Sequence, residues 1–272
     1  MSEVVLTGAP YAVTGDADGT VWATVLSPPG LARVRDGEVS YETLPDRPML
    51  LTLAPDGALW YTAGDALGRR DVSGEHTVTA LPEGSAPYGI AAAPDGTIWF
   101  TAPGRNQLGR LGDELVLVDL PVPDARAAML TVGPDGAVWA ALNGAGALVR
   151  VHDGSVDVVA LPDGSAPVGV AAAAEGVWFA DIAGGRVGRV DPSGRLHHTG
   201  FDATSRPHAV AADGAGGCWV TLWGSGELAR IAADGTVTIR ALPGHEPHGL
   251  WVSPTAVWVA MESGALVAVP RS

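Results

Sequence analysis

The sequence is poor in cysteine and in positive charge, and both shortages exclude classes of protein. It has one cysteine, Cys218, in 272 residues, so it cannot form an internal disulfide and suits a reducing compartment. Its 16 basic residues are all arginine and face 30 acidic residues, which gives a formal net charge of −14. Such an acidic surface repels nucleic-acid phosphates and anionic lipid headgroups. We therefore expect no nucleic-acid partner and no membrane-surface role.

Two further features are missing, a basic-then-apolar leader and a long uninterrupted apolar run. The longest apolar stretch, 167–182, contains Glu175, Asp181 and several glycines, so it is no membrane span. We expect a protein that is neither exported nor inserted in a membrane, with a cytoplasmic location. Since 47% of the residues are hydrophobic and only 17% charged, the chain has the material for a large core.

The chain does have a regular spacing of tryptophan. Successive members of one series are 38, 39, 40, 39, 41 and 39 residues apart. A fixed period near forty residues predicts a repeat architecture, and four-stranded units of this length are the blades of β-propellers. The series consists of Trp22, Trp60, Trp99, Trp139, Trp178, Trp219 and Trp258.

The unit 85–121 shows the parts of one blade. Short apolar or alternating runs at 88–93, 97–102, 108–111 and 115–120 are separated by turn signals such as Pro94-Asp95-Gly96, and we call these predicted strands a to d. Seven tryptophans then predict an all-β, seven-bladed propeller formed as one domain by residues 1–272.

The ends of the chain predict how the ring closes. The last unit ends at Pro270 after its third strand, and the chain begins with the apolar run 4–6. We expect this N-terminal strand to complete the last blade. The alternative, an open solenoid, would leave two exposed sheet edges.

Functional residues should lie where one blade departs from the others, because the aligned tryptophans serve packing in every blade. One position opens strand a, ten or eleven residues before each tryptophan, and is histidine only in blades six and seven. A second position ends strand b, four residues after each tryptophan. The residue there is a carboxylate only in blade seven and an indole only in blade six. The first position holds Tyr11, Met49, Tyr88, Ala128, Val168, His208 and His248, and the second holds Leu26, Gly64, Pro103, Asn143, Ile182, Trp223 and Glu262.

These two positions share one end of each blade, because strands a and b are antiparallel. In blade seven the expected register places His248 opposite Met261 or Glu262, and directly opposed Cβ atoms lie about 4.5–5.5 Å apart. Glu246 precedes a proline, which disfavours helical backbone, so we expect an extended segment in which Glu246 and His248 project the same way. We therefore predict that these two glutamates and His248 meet at one rim and face His208.

The predicted cluster suits a hard cation. Two carboxylates without thiolates match Mg²⁺, whose other positions stay hydrated or take substrate oxygens, so Glu246 and Glu262 are candidate metal ligands. Zinc, held by a histidine and two glutamates, is less favoured. His248, with an ordinary pKa of about 6.5, is suited to accept a proton near neutral pH. The alternative is a rim ion pair or a hydrogen-bonded histidine without a metal.

Three aromatic residues occupy the same rim positions as the cluster, namely Tyr11, Tyr88 and Trp223. Rim aromatics either cap the central channel or stack on an aromatic substrate. Both interpretations stay open at this point, and the second makes the three residues candidates for substrate binding.

Motifs of the last two blades resemble the virginiamycin B lyase family, also called streptogramin B lyases. They are Arg206-Pro207-His208-Ala209, Glu246-Pro247-His248-Gly249 and Trp258-Val259-Ala260-Met261-Glu262. Repeat phrases such as Leu108-Gly109-Arg110 are similar to those of the same family and extend the resemblance over essentially the whole chain.

The resemblance implies a monomeric seven-bladed propeller that inactivates type B streptogramins, which are cyclic depsipeptides closed by an ester on a threonine side chain. It implies a Mg²⁺-dependent carbon–oxygen lyase that opens the ring without water. A base removes the threonine α-proton, and the ester carboxylate leaves from the β-carbon. On this chain His248 would be the general base, and His208 would contact the substrate near the reacting ester. Glu246 and Glu262 would help to hold Mg²⁺.

The chain departs from the family pattern at two rim positions, where Gly244-His245 precedes Glu246 and Ala127 replaces the rim proline of blade four. These departures bear on substrate specificity and leave the implied reaction type intact. Two other functions stay open. One is a metal-dependent propeller lactonase or esterase that hydrolyses its substrate, and the other is a non-catalytic propeller that binds a partner on its rim.

Overall fold

The structure is a computed structural model that describes residues 1–271, and its regular elements are strands and one turn of 3-10 helix, Pro103–Arg105. The first blades contain β1 (Ser2–Val5), β2 (Pro10–Gly15), β3 (Val21–Val25), β4 (Gly30–Arg35), β5 (Glu38–Thr43), β6 (Pro48–Leu53), β7 (Leu59–Ala63), β8 (Ala66–Arg70) and β9 (His76–Ala80). There follow β10 (Ile90–Ala92), β11 (Ile98–Ala102), β12 (Gln107–Leu111), β13 (Leu115–Asp119), β14 (Ala127–Val132), β15 (Val138–Leu142), β16 (Ala147–His152), β17 (Ser155–Ala160), β18 (Pro167–Ala173) and β19 (Gly176–Asp181). The last are β20 (Arg186–Val190), β21 (Leu196–Gly200), β22 (Pro207–Ala212), β23 (Cys218–Leu222), β24 (Glu227–Ile231), β25 (Val237–Ala241), β26 (Pro247–Val252), β27 (Ala256–Met261) and β28 (Ala265–Pro270). Within residues 1–271 we find no helix of the length and apolarity needed to cross a membrane.

The strands form seven antiparallel sheets of four strands each, and these are the predicted blades. Blades one to six use consecutive strands, from β2–β5 to β22–β25. Blade seven consists of β26, β27, β28 and the N-terminal β1, whose Val4 stands opposite Leu266. Strand β2 of blade one packs against β26 and β27 of blade seven. The ring is therefore closed by the N-terminal strand, and the open solenoid is excluded.

Five of the seven aligned tryptophans pack against an arginine of the neighbouring strand. In blade six Trp219 stands directly opposite Arg230, whose guanidinium carbon lies 5.5 Å from the centre of the indole ring. The same arginine donates to Asp213, in the turn between strands a and b, at 2.9 Å. Blades two and four repeat the arrangement, with Arg69 on Asp56 and Arg150 on Asp135. The period near forty residues therefore reflects packing, through cation–π contacts and charged hydrogen bonds.

The glycine of the Leu-Gly-Arg repeat phrase is required by an aromatic ring. Gly109 stands directly opposite Phe100, and a Cβ at Gly109 would lie 1.9 Å from the Phe100 ring. Gly188 and Phe179 show the same relation, with a distance of 2.1 Å. Both phenylalanines are fully buried, so each ring lies across the glycine and fills the core of its blade.

The innermost strand of six blades contains a β-bulge near its start. In blade seven Pro247 pairs with Met261 and Leu250 with Val259, so the two residues between, His248 and Gly249, lie in the bulge. A bulge leaves residues out of the ladder and re-aims their side chains. The residue that opens strand a is therefore turned toward the neighbouring blades.

Blade three differs slightly from the sequence expectation, because its innermost strand begins at Ile90 and leaves Tyr88 before it. The Gly89 N–H donates to the Thr101 hydroxyl at 2.7 Å, and not to a backbone carbonyl. The other three strands of this blade agree with the predicted runs to within one residue.

Asp181, at the end of β19, is a fully buried acid. Its carboxylate accepts the N–H groups of Ala166 and Gly184 at 2.8 and 2.9 Å and pairs with Arg186 at 2.8 Å. Burial opposes ionisation, but these hydrogen bonds outweigh it, so the pKa of Asp181 lies below its ordinary value. The stability it contributes is therefore present above about pH 4 and is lost as the pH falls through the lowered pKa.

We predict that Asp181→Asn lowers the free energy of unfolding by about 1–3 kcal/mol at neutral pH, because the amide cannot replace the charged acceptor. Urea denaturation at neutral and acid pH measures the effect. The difference from the parent protein should shrink as the pH falls below about 4. A difference that is the same at both pH values would contradict the assigned role of the charge.

Candidate active site

Side chains from several blades meet at the end of the ring where strands a begin and strands b end. His208 and His248 lie in the bulges of β22 and β26, and Glu262 follows β27 directly. The Glu262 N–H donates to the carbonyl of Glu246 at 3.1 Å, so these two residues are joined through their backbones at the same end of blade seven. The candidates predicted from the sequence therefore share one end of the ring.

His248 and Glu262 form a short hydrogen bond. Nε2 of His248 lies 2.6 Å from Oε2 of Glu262. The histidine side chain is 10% exposed and the glutamate side chain 32% exposed, so water reaches the pair mainly from the side of the carboxylate. An ionised carboxylate only accepts hydrogen bonds, so it holds the imidazole N–H on Nε2 and leaves the lone pair on Nδ1. The predicted contact between the two residues is confirmed.

Three further rings surround the imidazole of His248. The Tyr11 ring lies 4.3 Å from it between centroids, the His208 ring 4.8 Å and the Trp223 ring 6.2 Å. Tyr88 belongs to the second layer, because its hydroxyl lies 2.7 Å from the Tyr11 hydroxyl. The structure therefore brings both histidines, Glu262 and all three predicted aromatics into one cluster.

Glu246 does not adopt the extended conformation expected from the sequence. Its φ is 56°, in the left-handed region, and Arg206, at the equivalent place in blade six, has a φ of 48°. This conformation leads the chain into the bulge and directs the Glu246 carbonyl to the Glu262 N–H. The predicted extended conformation of Glu246 is therefore wrong, and neither the left-handed residue nor the bulge keeps the two-residue alternation on which it was based.

A cavity of about 450 Å³ lies beside the cluster, and we call it the mouth cavity. Glu246 and Trp223 connect it to the cluster, and Arg206 stands in it with its guanidinium carbon 5.5 Å from the centre of the Trp223 ring. Arg206 is a residue of this site that the sequence predicted only as part of a motif, without a role. Its position in the repeat could have pointed to the site, because Arg206 precedes the rim proline of blade six and Glu246 precedes the rim proline of blade seven. The lining also includes Ala203, Thr204, Gly224, Ser225, Gly226 and His245.

Another cavity, of about 470 Å³, lies between blades four and five, near the turns that join strands a and b. Its lining includes Trp139, Val159 and Pro192 but no histidine. Its arginine, Arg150, is already paired with Asp135 at 3.2 Å. Its two acids are also engaged, Asp135 with Arg150 and Asp191 with His197 at 2.8 Å, so we place the candidate site at the cluster and the mouth cavity.

Burial lowers the pKa of both His208 and His248 below the ordinary value of histidine. Burial, and then the proximity of His248, lower the pKa of His208 to about 3. Burial also lowers the pKa of His248, but the hydrogen bond to Glu262 and the charges of Glu262 and Glu246 oppose that shift. Both imidazoles are therefore neutral at neutral pH, and only His248 has carboxylates that stabilise its protonated form.

Several buried polar atoms of the cluster have no hydrogen-bond partner among residues 1–271. They are Nδ1 of His208, Nδ1 of His248 and Nε1 of Trp223. Buried polar groups in proteins are almost always hydrogen-bonded, so three unpaired atoms in one cluster set it apart from the packed core.

Two glutamates at the rim are the kind of donor that a hard cation completed by substrate and water takes. Glu246 and Glu262 offer carboxylate oxygens at the same end of one blade, and Mg²⁺ is commonly held by one or two carboxylates with waters and substrate oxygens. In the described part of the chain, no three histidine, cysteine, aspartate or glutamate side chains are close enough to form a metal cage. The less favoured alternative, zinc held by a histidine and two glutamates, therefore does not fit.

The fold and this cluster define a class, a seven-bladed propeller with a histidine–carboxylate site for a small molecule at one end of its ring. The family model of the virginiamycin B lyase family matches residues 2–269. The chain therefore belongs to the virginiamycin B lyase family.

Individual relatives agree with this assignment. A virginiamycin B lyase of Nocardia farcinica is 38% identical over 271 residues, which cover 96% of this chain and 95% of that protein. The crystal structure of a virginiamycin B lyase from Staphylococcus aureus superposes with a TM-score of 0.94 at 29% identity, covering 100% of this chain and 99% of that one. A catalytically inactive histidine-to-alanine variant of the S. aureus enzyme, crystallised with quinupristin, superposes with a TM-score of 0.91 at 30% identity and 97% coverage of both chains.

We predict that His208 stays neutral at pH 5 in the folded protein, since its pKa is about 3. Nitrogen-15 NMR of the imidazole groups, with His208→Gln to assign the signal, measures its protonation state. In urea-unfolded protein the same histidine should titrate near its ordinary value of about 6.5. A folded-state titration near 6.5 would show that burial does not control this side chain.

Proposed function

We propose that this protein inactivates type B streptogramins by opening their ring at the threonyl ester through elimination. The observation that carries the proposal is the pair of His248 and Glu262 with the neutral His208 ring 4.8 Å from His248. Membership of the virginiamycin B lyase family supports the substrate class, and so does the S. aureus relative crystallised with quinupristin.

The proposed reaction breaks two bonds and adds no water. The threonine α-proton passes to a base, the electron pair of that C–H bond forms the α,β-double bond, and the ester oxygen leaves from the β-carbon as a carboxylate. The product is a linear peptide with a dehydrated threonine residue at one end and a free carboxylate at the other. Because no atoms are gained or lost, substrate and product have the same mass.

His248 is the general base of this proposal. Glu262 hydrogen-bonds to Nε2 and so orients the imidazole, which is the group that accepts the α-proton. The charges of Glu262 and Glu246 then stabilise the imidazolium that forms. The inactive histidine-to-alanine variant of the S. aureus relative is consistent with one indispensable histidine in this family.

His208 contributes as a neutral hydrogen-bond donor. Burial keeps its pKa at about 3, so it holds no second proton near neutral pH and cannot act as an imidazolium acid. A neutral imidazole still donates one N–H, and we assign that N–H to the ester oxygen on which negative charge develops. The two histidines therefore have different roles because their surroundings differ.

Glu246 and Glu262 would hold Mg²⁺ together with oxygens of the substrate. Bound there, the cation supplies Lewis-acid polarisation of a substrate carbonyl, which acidifies the adjacent α-proton. Glu262 has two oxygens, and the bond from His248 occupies only Oε2. One glutamate can therefore orient the base and bind the cation at the same time.

The aromatic residues form the wall against which the cyclic peptide packs. Burial raises the pKa of both Tyr11 and Tyr88, and their hydroxyls bond to each other, so neither serves as an acid or base near neutral pH. With Trp223 they offer ring faces to a substrate. We further propose that the protein acts as a monomer in the cytoplasm, as expected from the sequence.

We predict that purified protein with Mg²⁺ converts quinupristin to an opened product of unchanged mass that contains a dehydrated threonine residue. Liquid chromatography with mass spectrometry measures the product. His248→Ala should lower the rate by about 10²–10⁴-fold, because the base is lost. His198→Ala, which changes an exposed histidine on an outer strand, is the matched control and should keep full activity.

Other results would point to other functions. A product heavier by one water would identify a hydrolase of the lactonase type. Intact substrate that nevertheless binds would identify a non-catalytic propeller. Equal loss of activity in both histidine variants would contradict the assignment of the base to His248.

We predict that chelation with EDTA stops turnover and that added Mg²⁺ restores it. Glu246→Gln should raise the Mg²⁺ concentration for half-maximal rate by about tenfold or more, since one ligand loses its charge. Mg²⁺ titrations of the initial rate measure this change, and Glu227→Gln, on blade six, serves as the control. Full activity in excess chelator would remove the cation from the proposal.

A further inference from the structure

A buried threonine of blade six joins the backbones that carry the two histidines. Thr221 lies in β23, two residues after the aligned Trp219, and is fully buried. Its Oγ1 accepts the N–H of Ala209, the residue after His208, at 3.0 Å. The same hydroxyl donates to the carbonyl of His248 at 2.9 Å. One side chain therefore connects the bulge of β22 to the bulge of β26.

The same device occurs in three other blades. Thr24, Thr62 and Thr101 each accept an N–H from the start of the innermost strand of their own blade and donate to a carbonyl of the next blade. The carbonyls that receive these hydrogen bonds belong to Met49, Tyr88, Ala128 and, for Thr221, His248. Only the hydroxyl of Thr221 therefore holds the backbone of a histidine.

The fold does not require a threonine at this position. Blades four, five and seven carry Ala141, Ala180 and Ala260 there, and their sheets are complete. In particular, blade five meets β22 of blade six with an alanine at this place, so no threonine hydroxyl of blade five reaches the His208 carbonyl. Of the two histidines, the one that receives the threonine hydrogen bond is the proposed base.

We propose that Thr221 is a positioning residue that sets the imidazole of His248 against Glu262 and His208. The proposal rests on the proposed function for its effect on rate, but the positioning itself is independent of the reaction. His248 lies in a bulge, outside the regular ladder, so its backbone needs another restraint. A hydrogen bond inside a fully buried junction has no competition from water and supplies that restraint. Displacement of a reacting group by about 1 Å can cost about 10²-fold in rate.

Thr101 is the matched control. It accepts the Gly89 N–H at 2.7 Å and donates to the Ala128 carbonyl at 2.9 Å, so its two hydrogen bonds are of the same kind as those of Thr221. Ala128 occupies in blade four the place that His248 occupies in blade seven, and it has no acid–base group. Loss of either hydroxyl should therefore affect stability alike and affect the site differently.

The experiment compares Thr221→Val with Thr101→Val in the full chain, with quinupristin and saturating Mg²⁺. We expect Thr221→Val to lower kcat by about 10- to 100-fold with KM changed less than twofold, because the base is misplaced while the binding walls remain. Thr101→Val should keep kcat within twofold and lose a similar amount of thermal stability. Thr221→Ser, which keeps the hydroxyl, should restore most of the rate.

A second measurement removes the dependence on turnover. Proton and nitrogen-15 NMR of the His248 Nε2–H, whose position reports the hydrogen bond to Glu262, should change in Thr221→Val and not in Thr101→Val. If Thr221→Val is unstable, Thr221→Ala, the residue that three blades already carry, replaces it with Thr101→Ala as its control.

Two results would overturn the proposal. In one, both threonine variants lose activity in proportion to stability, which is a structural role alone. In the other, Thr221→Val leaves kcat and the His248 signal unchanged. If the parent protein does not open quinupristin, the proposed function fails, and the NMR comparison still decides whether Thr221 positions His248.

Discussion

The site depends on one constraint, the β-bulge at the start of the innermost strands. A regular antiparallel ladder would alternate the side chains of β26 between its two faces. The bulge releases His248 and Gly249 from that ladder and turns the imidazole toward the neighbouring blades. The packing leaves no space for a side chain at Gly249, because a Cβ would lie 2.8 Å from the Ala12 Cα. The glycine of the Glu-Pro-His-Gly motif thus allows the close approach of blades seven and one that brings Tyr11 onto His248.

Burial and charge give two identical side chains different properties. The rings of His208 and His248 lie 4.8 Å apart in a largely water-free cluster, where two imidazolium cations would repel each other strongly. His208 is buried, which lowers its pKa, whereas Glu262 is hydrogen-bonded to His248. One histidine therefore stays neutral while the other can take a proton, which is the separation that acid–base catalysis at one site requires.

The other blades show what the functional positions of blades six and seven look like without functional residues. The same rim position holds Ala128 in blade four and His248 in blade seven, within the same bulged strand and next to equivalent threonines. The scaffold thus tolerates either residue, and the chemistry of blades six and seven is added without a change of fold. This explains why departures from the repeat locate the site better than the features that all blades share.

The sequence by itself determined the blade count and the meeting of His248 with Glu262, because tryptophan spacing and pairing between consecutive strands are local properties of the chain. It also determined the closing strand, because the last unit lacks a fourth strand and the chain begins with an unassigned one. It did not determine the left-handed conformation of Glu246, since the consequences of a bulge cannot be read from an alternating pattern. Only the tertiary structure decided that Tyr11 of blade one lies on His248, that Arg206 stands beside Trp223 in the mouth cavity, and that the pKa of His208 falls to about 3. Ring closure brings residues from distant parts of the chain into contact. The burial of a side chain, and with it the pKa, depends on all of those neighbours together.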